Sequence, residues 1–202
     1  MKVINAVKNP NDLIKYGLQL RKTNTQLNEP LGKPIGLVNH WSGVKQPNIL
    51  FNPYHWHITQ LGDEVFIIQT LAMSQKGQHL FGRNSNMVGI SLCGIPSTIT
   101  KYSVEQMGIL NGELCFKYGI NADSKILLPK KKLYNGLLIN AGGMINFNAI
   151  SDHAEFAKSD GYFPNRVDIG DLIDDVRKTA IETYKGLKSG VKKYTILDKL
   201  EG

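Results

Sequence analysis

Five histidines, His40, His55, His57, His79 and His153, are the residues of this chain best suited to proton transfer or metal ligation near neutral pH. His40 closes the apolar run "KPIGLVNH", and His55 and His57 alternate in "YHWHIT". His79 opens "HLFGRNSN", while His153 stands in "SDHAEF", upstream of Asp168 in "FPNRVDIGDL". An Asp beside a Gly at the mouth of a helix has an ordinary reading, because the carboxylate of Asp168 or Asp171 caps orphan backbone N–H groups and complements the helix dipole. The sharper reading makes Asp168 a metal ligand. One His at a strand end, one in "DHAE" and one Asp in "RVDIG" supply two nitrogens and an oxygen, leaving a fourth tetrahedral position open for water. Spacing alone leaves both readings open, and for any single His a structural role is the default.

These residues need a scaffold, and the pattern predicts a mixed α/β one. Residues 11–21 read as a short helix after Pro10, and "KPIGLVNH" as a buried strand ending on His40, where loops at a sheet edge build sites. "YHWHIT" and "EVFIIQT" flank the turn "QLGD" and read as a hairpin, so that Tyr54, Trp56 and Ile58 share one face and His55 and His57 the other. "MVGISLCG" is a third buried strand. A helix is predicted over 103–119, with Ser103 and Gln106 at capping-box spacing, Val104, Met107, Leu110 and Leu114 on one face, and Gly119 as the stop. A second amphipathic helix runs over 171–189, and "GLLIN" at 136–140 is a short strand. Residues 120–152, rich in Lys, Asn and Gly, read as a loop-rich insertion, and 1–30 as an N-terminal extension to a core of about 35–190. The whole of 1–202 is expected to be one domain, since neither repeat nor linker interrupts it.

The composition, 42% hydrophobic and 20% charged over 202 residues, is that of a globular protein and excludes disordered and fibrous classes. No run of eighteen apolar residues exists, so no membrane insertion is expected. Neither is there an apolar stretch of signal-peptide length after Met1, which leads us to expect a protein made in a cytosol without a Sec-type signal. Cys93 and Cys115 are too few for a disulfide framework or a Cys-based zinc knuckle and are expected to be reduced core residues. The net charge of +7 and a pI near 9.3 favour an anionic partner: acidic wall polymer, anionic lipid or nucleic acid. "PKKKLY" and "LKSGVKKYTILDK" are short basic clusters without interleaved aromatics, which argues against nucleic acid.

Six blocks in fixed order carry a resemblance: "LVNHWSG", "PYHWHITQLGDEVF", "QHLFGRNSNMVGISLCG", "SVEQMGIL…LCFKYGI", "DHAEF" and "NRVDIG". Over roughly residues 35–175 they resemble the type 2 N-acetylmuramoyl-L-alanine amidases, the zinc fold shared with peptidoglycan recognition proteins. The third block carries most of the likeness, with His79, Asn84, Asn86, Gly89, Leu92 and Gly94 in the family's register.

The resemblance implies a single-domain α/β fold with a central mixed sheet flanked by helices, and Zn²⁺ held by His40, His153 and Asp168. It implies catalytic parts for Tyr54, for Arg166 where relatives carry a Lys, and for Glu155 as a proton shuttle or as a partner of a metal-binding His. It further implies substrate contacts from His79, Asn84 and Asn86. Three residues depart from the family's pattern: Arg166 for Lys, Ile169 for Pro, and Ser91 where some members carry a strand Glu as base. Asp160 is a rival to Asp168 as ligand. The implied function is hydrolysis of the amide between N-acetylmuramic acid and L-Ala of peptidoglycan by a phage endolysin. Such an endolysin is made in the host cytoplasm, acts on the wall after release, and is expected as a monomer. The alternatives are a cytosolic muropeptide-recycling amidase and a non-catalytic peptidoglycan-binding module.

Overall fold

Runs of Val, Ile and Leu too short for helices and bounded by Gly, Pro and Asn become buried strands, and the longer periodic segments become helices over them. The computed structural model describes residues 1–21, 29–51, 53–162 and 168–201. In chain order the elements are β1 (Lys2–Asn5), α1 (Asn11–Lys15), β2 (Gln19–Arg21), β3 (Gly36–Trp41), β4 (Ile49–Phe51), β5 (Trp56–Leu61), β6 (Glu64–Gln69), β7 (Met87–Leu92), α2 (Lys101–Tyr118), β8 (Lys125–Tyr134), β9 (Leu137–Asn148), β10 (Ile150–Asp152), α3 (His153–Asp160), α4 (Leu172–Lys188) and α5 (Leu197–Glu201). The central sheet has the order β1-β6-β5-β7-β3-β10, and only the β5–β6 hairpin is antiparallel within it.

Alternation along the central strands sorts their side chains between two layers. Leu37, Trp56, Ile58, Val88, Ile90 and Leu92 join Met107, Leu110 and Val176 in the core beneath α2 and α4. The two helices approach closely because Gly108 and Gly112 lie at the contact: a Cβ on Gly112 would come within 2.6 Å of the Ala180 carbonyl oxygen. Val38, Leu80 and Met87 meet Phe147 and Phe156 on the opposite side, where α3 and β9 cover the sheet.

Several elements differ from expectation for identifiable reasons. The helix expected over 11–21 stops at Lys15, since Gly17 takes φ 69° and turns the chain into β2. Thr100, not Ser103, caps α2, forming a capping box with Ser103 at N3. The segment expected to be a loop-rich insertion is mostly a long hairpin, β8–β9, turned by Asn135 and Gly136 at φ 47° and 76°, the Asn-Gly pairing of tight hairpins. The core also exceeds 35–190. β1 pairs with β6, and the buried carboxylate of Glu113 on α2 accepts N–H bonds from Thr195, Ile196 and Leu197 at the mouth of α5. Cys93 and Cys115 are free and buried, and burial pushes both thiols up to about 12.

His55 and His57 are structural. The ring of His55 bonds the Gln75 carbonyl oxygen at 2.8 Å through Nε2 and accepts from the Gly89 N–H through Nδ1, while His57 Nε2 bonds the Phe51 carbonyl oxygen at 2.8 Å. Burial pushes both imidazoles down from 6.5 to about 4. Between those values the unfolded chain binds more protons than the folded one, so their contribution is complete above about pH 6.5 and is lost as pH falls towards 4. The urea midpoint should fall on going from about pH 7 to about pH 5, and His57→Gln should flatten that slope. A midpoint constant over this range would contradict the neutral, buried assignment.

Candidate metal centre

His40 stands near the end of β3, level with Ser91 of β7 and, through it, with His57 of β5. β10 lies on the other side of β3, pairing Asp152 with Asn39, and passes straight into α3, of which His153 is the first residue. The strand pairing therefore delivers two histidines to one sheet edge. The cap of α3 fixes the second: Asp152 Oδ1 accepts from the Glu155 N–H at 2.8 Å, and Glu155 Oε2 from the Asp152 N–H at 3.2 Å. Asp168 arrives from the turn before α4, anchored by Ile169, which is buried in the main core. Asp171 makes no side-chain cap, so the simple capping explanation of the acidic pair fails for it.

His40, His153 and Asp168 are all buried and offer ligand atoms within 4.8 Å of one another. The nearest approaches are His40 Nδ1 to Asp168 Oδ1 at 3.9 Å and His153 Nδ1 to Asp168 Oδ2 at 3.8 Å. Such separations suit three donors around one metal ion, since ligands about 2.0–2.2 Å from a common centre stand a little over 3 Å apart at tetrahedral angles. The carboxylate of Asp168 has no exposed surface, and a divalent cation held between it and the two imidazoles would offset its desolvation.

A hydrogen-bonded chain sets the tautomer of His40. Burial first, then the neighbouring His55, pushes His79 down to about 3, so its ring is neutral. Its Nε2 lies 3.2 Å from the Met87 carbonyl oxygen, which only accepts, so Nε2 carries the proton and Nδ1 the lone pair. His79 Nδ1 lies 3.2 Å from His40 Nε2, which must then be the donor, leaving His40 Nδ1 as the electron-pair donor facing Asp168. On the other ligand, His153 Nε2 meets the Tyr162 hydroxyl at 3.1 Å, again on the side away from Asp168. The ring of His79 fits because Gly89 has no side chain: a Cβ there would lie 2.4 Å from its Cγ.

The other expected site residues divide. Tyr54 packs on His40 with ring centroids 4.9 Å apart, but it also meets His57 at 5.6 Å, edge on. The expected grouping of Tyr54 with Trp56 and Ile58 is therefore wrong: β5 begins at Trp56, and strand alternation does not extend back to Tyr54. The expectation that neither His55 nor His57 joins the ligand group agrees with the described residues. Glu155 is engaged by Arg177 of α4, whose Nη2 lies 2.6 Å from both carboxylate oxygens, and by its cap; the shuttle role has no geometric support. Asp160 is held by Arg83 at 2.6 and 2.7 Å, which removes it as a rival ligand.

Asn84 Oδ1 accepts from the N–H groups of His79 and Leu80, and Asn86 Nδ2 donates to the Lys33 carbonyl oxygen. These amides hold backbone where substrate contacts were expected, although His79 and Asn84 do line a cleft. That cleft, about 610 Å³, also includes His153, Tyr162, Phe81 and Gln78 and opens beside the ligand group. Arg166 lies outside the described residues. Two residues escaped the sequence reading, Tyr162 and Arg177. Tyr162 follows the Gly161 helix stop and carries no motif, and Arg177 looks like any exposed helix cation. His79→Phe should leave the fold intact by circular dichroism yet weaken metal affinity about 10- to 100-fold in a competition titration, because His40 then loses the acceptor that fixes its tautomer. Unchanged affinity would remove His79 from the site.

No protein-family model matches the sequence, and no curated protein matches it either. Solved structures do match. The Staphylococcus aureus hydrolase AmiA, in complex with its ligand, gives a TM-score of 0.50 at 15% identity over 92% of this chain and 94% of that one. The N-acetylmuramoyl-L-alanine amidase LysC from Clostridium intestinale URNW gives 0.45 at 15% identity over 86% and 99%. The catalytic domain of XlyA gives 0.47 at 12% over 81% and 99%. Likeness at this identity concerns the fold: the chain shares with AmiA a single-domain mixed sheet flanked by helices, along nearly the whole of both chains.

Proposed function

We propose that the protein is a zinc-dependent N-acetylmuramoyl-L-alanine amidase that hydrolyses the bond between the lactyl carbonyl of N-acetylmuramic acid and L-Ala in peptidoglycan. The observation that carries this reading is the buried His40, His153 and Asp168 group, whose His153 lines a cleft, in a fold shared with the hydrolase AmiA. Two imidazoles and one carboxylate are the donor set of catalytic zinc sites, which keep a fourth position open. Zinc in such a site polarises an amide carbonyl and brings the pKa of bound water to about 7.

The chain's own residues do the rest. Tyr54, whose ring packs at a tilt against His40, supplies a hydroxyl to hydrogen-bond the scissile amide and pass a proton to the leaving amine; its contact with His40 supports this reading. Arg166, as a permanent cation with planar donors, stabilises the developing oxyanion, but it has no proton to give. Tyr162 and His79 hold the two imidazoles in place. The cleft receives the substrate beside His153. Among the described residues no helix is long and apolar enough to cross a membrane. A net charge of +7 favours association with acidic wall polymer, which supports an endolysin made in a host cytoplasm and acting on the wall. The second reading is a recycling amidase, which would prefer small soluble muropeptides.

Purified protein incubated with intact sacculi should release ends that mass spectrometry identifies as free L-Ala amines and intact glycan, and chelation should abolish the release. Other cleavage products, or release unaffected by chelator, would refute the proposal. Asp168→Ala should lose zinc. Arg166→Ala should keep zinc at wild-type stoichiometry while kcat falls by on the order of a hundredfold, the scale of one lost oxyanion donor. Near-normal turnover in Arg166→Ala would leave oxyanion stabilisation to the metal alone.

A further inference from the structure

The β8–β9 hairpin stands apart from the site chemistry. Its inner face is secured: Ile126, Leu128, Ile145 and Phe147 pack towards Phe156, Leu138 lies against Gly82, and Lys131 Nζ donates to the Gly82 carbonyl oxygen. Strand register then puts Leu127 with Asn146, Pro129 with Met144, Lys132 with Ile139 and Tyr134 with Leu137 on the outer face. That face is apolar and open to solvent, with Leu127 57%, Met144 53%, Tyr134 59% and Leu137 66% exposed. Isolated exposed apolar side chains are ordinary, but a contiguous set on one ribbon is not. The charge on the ribbon has a single sign: Lys125, Lys130, Lys131 and Lys132 lie between residues 125 and 148, with no Asp or Glu.

We propose that this outer face adsorbs to a lipid bilayer carrying anionic headgroups, with the apolar side chains entering the interfacial region and the lysines meeting the headgroups. Aliphatic side chains with a Tyr at the tip match the depth profile of such an interface, where Tyr sits at headgroup level and Lys extends its amine outward. A second copy of the chain is disfavoured, because apposing two such ribbons would bring lysines of like charge together with no carboxylate on either ribbon. A glycan or stem peptide calls for polar and aromatic contacts, which this face lacks apart from Tyr134 and Asn146. The inference does not depend on the proposed amidase activity.

The full chain should be sedimented with vesicles of phosphatidylcholine alone and with vesicles containing roughly a third phosphatidylglycerol. Pelleting is expected with the anionic vesicles and should weaken as salt rises, as surface electrostatics require. Leu127→Asp combined with Leu137→Asp, both exposed and so compatible with folding, should lower the vesicle affinity by about tenfold or more. Lys130→Gln with Lys132→Gln should reduce binding to anionic vesicles by about tenfold or more, since lysines near an anionic surface draw the protein to it. A wild-type protein that remains in the supernatant would overturn the proposal, as would a double Asp variant that pellets equally well. Pelleting by sacculi but not by vesicles, when lost in the Asp variant, would assign the face to wall polymer instead.

Discussion

Everything around the site follows from one constraint: a carboxylate and two imidazoles meet at buried positions beside a cleft. Asp168 and His40 are fully buried and His153 nearly so, and a desolvated carboxylate is stable only with compensating positive charge and fixed donors. The fold satisfies this by committing one nitrogen of each imidazole to a neighbour, which leaves the Nδ1 atoms to face the carboxylate. A mobile imidazole would lose that arrangement to rotation or tautomerism. The chain from the Met87 carbonyl through His79 to His40 gives the His40 ring its orientation, and so the hydrogen bonding of β7 reaches the candidate site directly.

The same logic places the polar residues buried next to the site. Asn39 and Asn111 exchange hydrogen bonds at 3.1 and 2.9 Å between β3 and α2, and Asn39 also donates to the Ser151 carbonyl oxygen on β10. These bonds sit one residue from His40 and two from His153, so they fix the register of the strands that carry both ligands. Arg177 makes the matching tie from α4: it donates to the Ile150 carbonyl oxygen at 2.8 Å and grips Glu155. Asp168 enters just before that helix, so the third ligand is referenced to the same strand end as the second. Buried polar groups of this kind add specificity of position when every member is satisfied.

The parts legible in sequence were those set by local pattern. β3, β6, β7, α2 and α4 follow from apolar runs and helical periodicity, whereas the grouping of His40, His153 and Asp168 came from the family resemblance, spacing alone having left the capping and ligand readings open. What local pattern misled on was Tyr54, read by strand alternation although its strand starts two residues later. Asn84, Asn86, Glu155 and Asp160 looked available for chemistry because their partners, backbone groups and Arg83 or Arg177, are set by tertiary contact. The long hairpin was hidden because its Lys-, Gly- and Asn-rich sequence matches a loop in composition, and the Asn-Gly turn flanked by Leu and Tyr was the signal that distinguishes the two.

Ser91 bears on how the proposed site would divide proton handling from metal binding. It pairs with His40 on one side and His57 on the other, in the middle of the sheet and with no exposed surface. A carboxylate at this position would add a second buried negative charge near Asp168, and a single divalent cation would have to compensate both. Like charges at such range raise one another's pKa and leave one carboxyl protonated. With a neutral hydroxyl there, Asp168 is the one carboxylate of the His40, His153 and Asp168 group among the described residues, and Ser91 itself offers no carboxylate base. In the proposed reaction the proton transfers would therefore fall to groups off the sheet, such as Tyr54, whose ring packs against His40. That division would leave the sheet side rigid, with substrate approaching through the cleft beside His153.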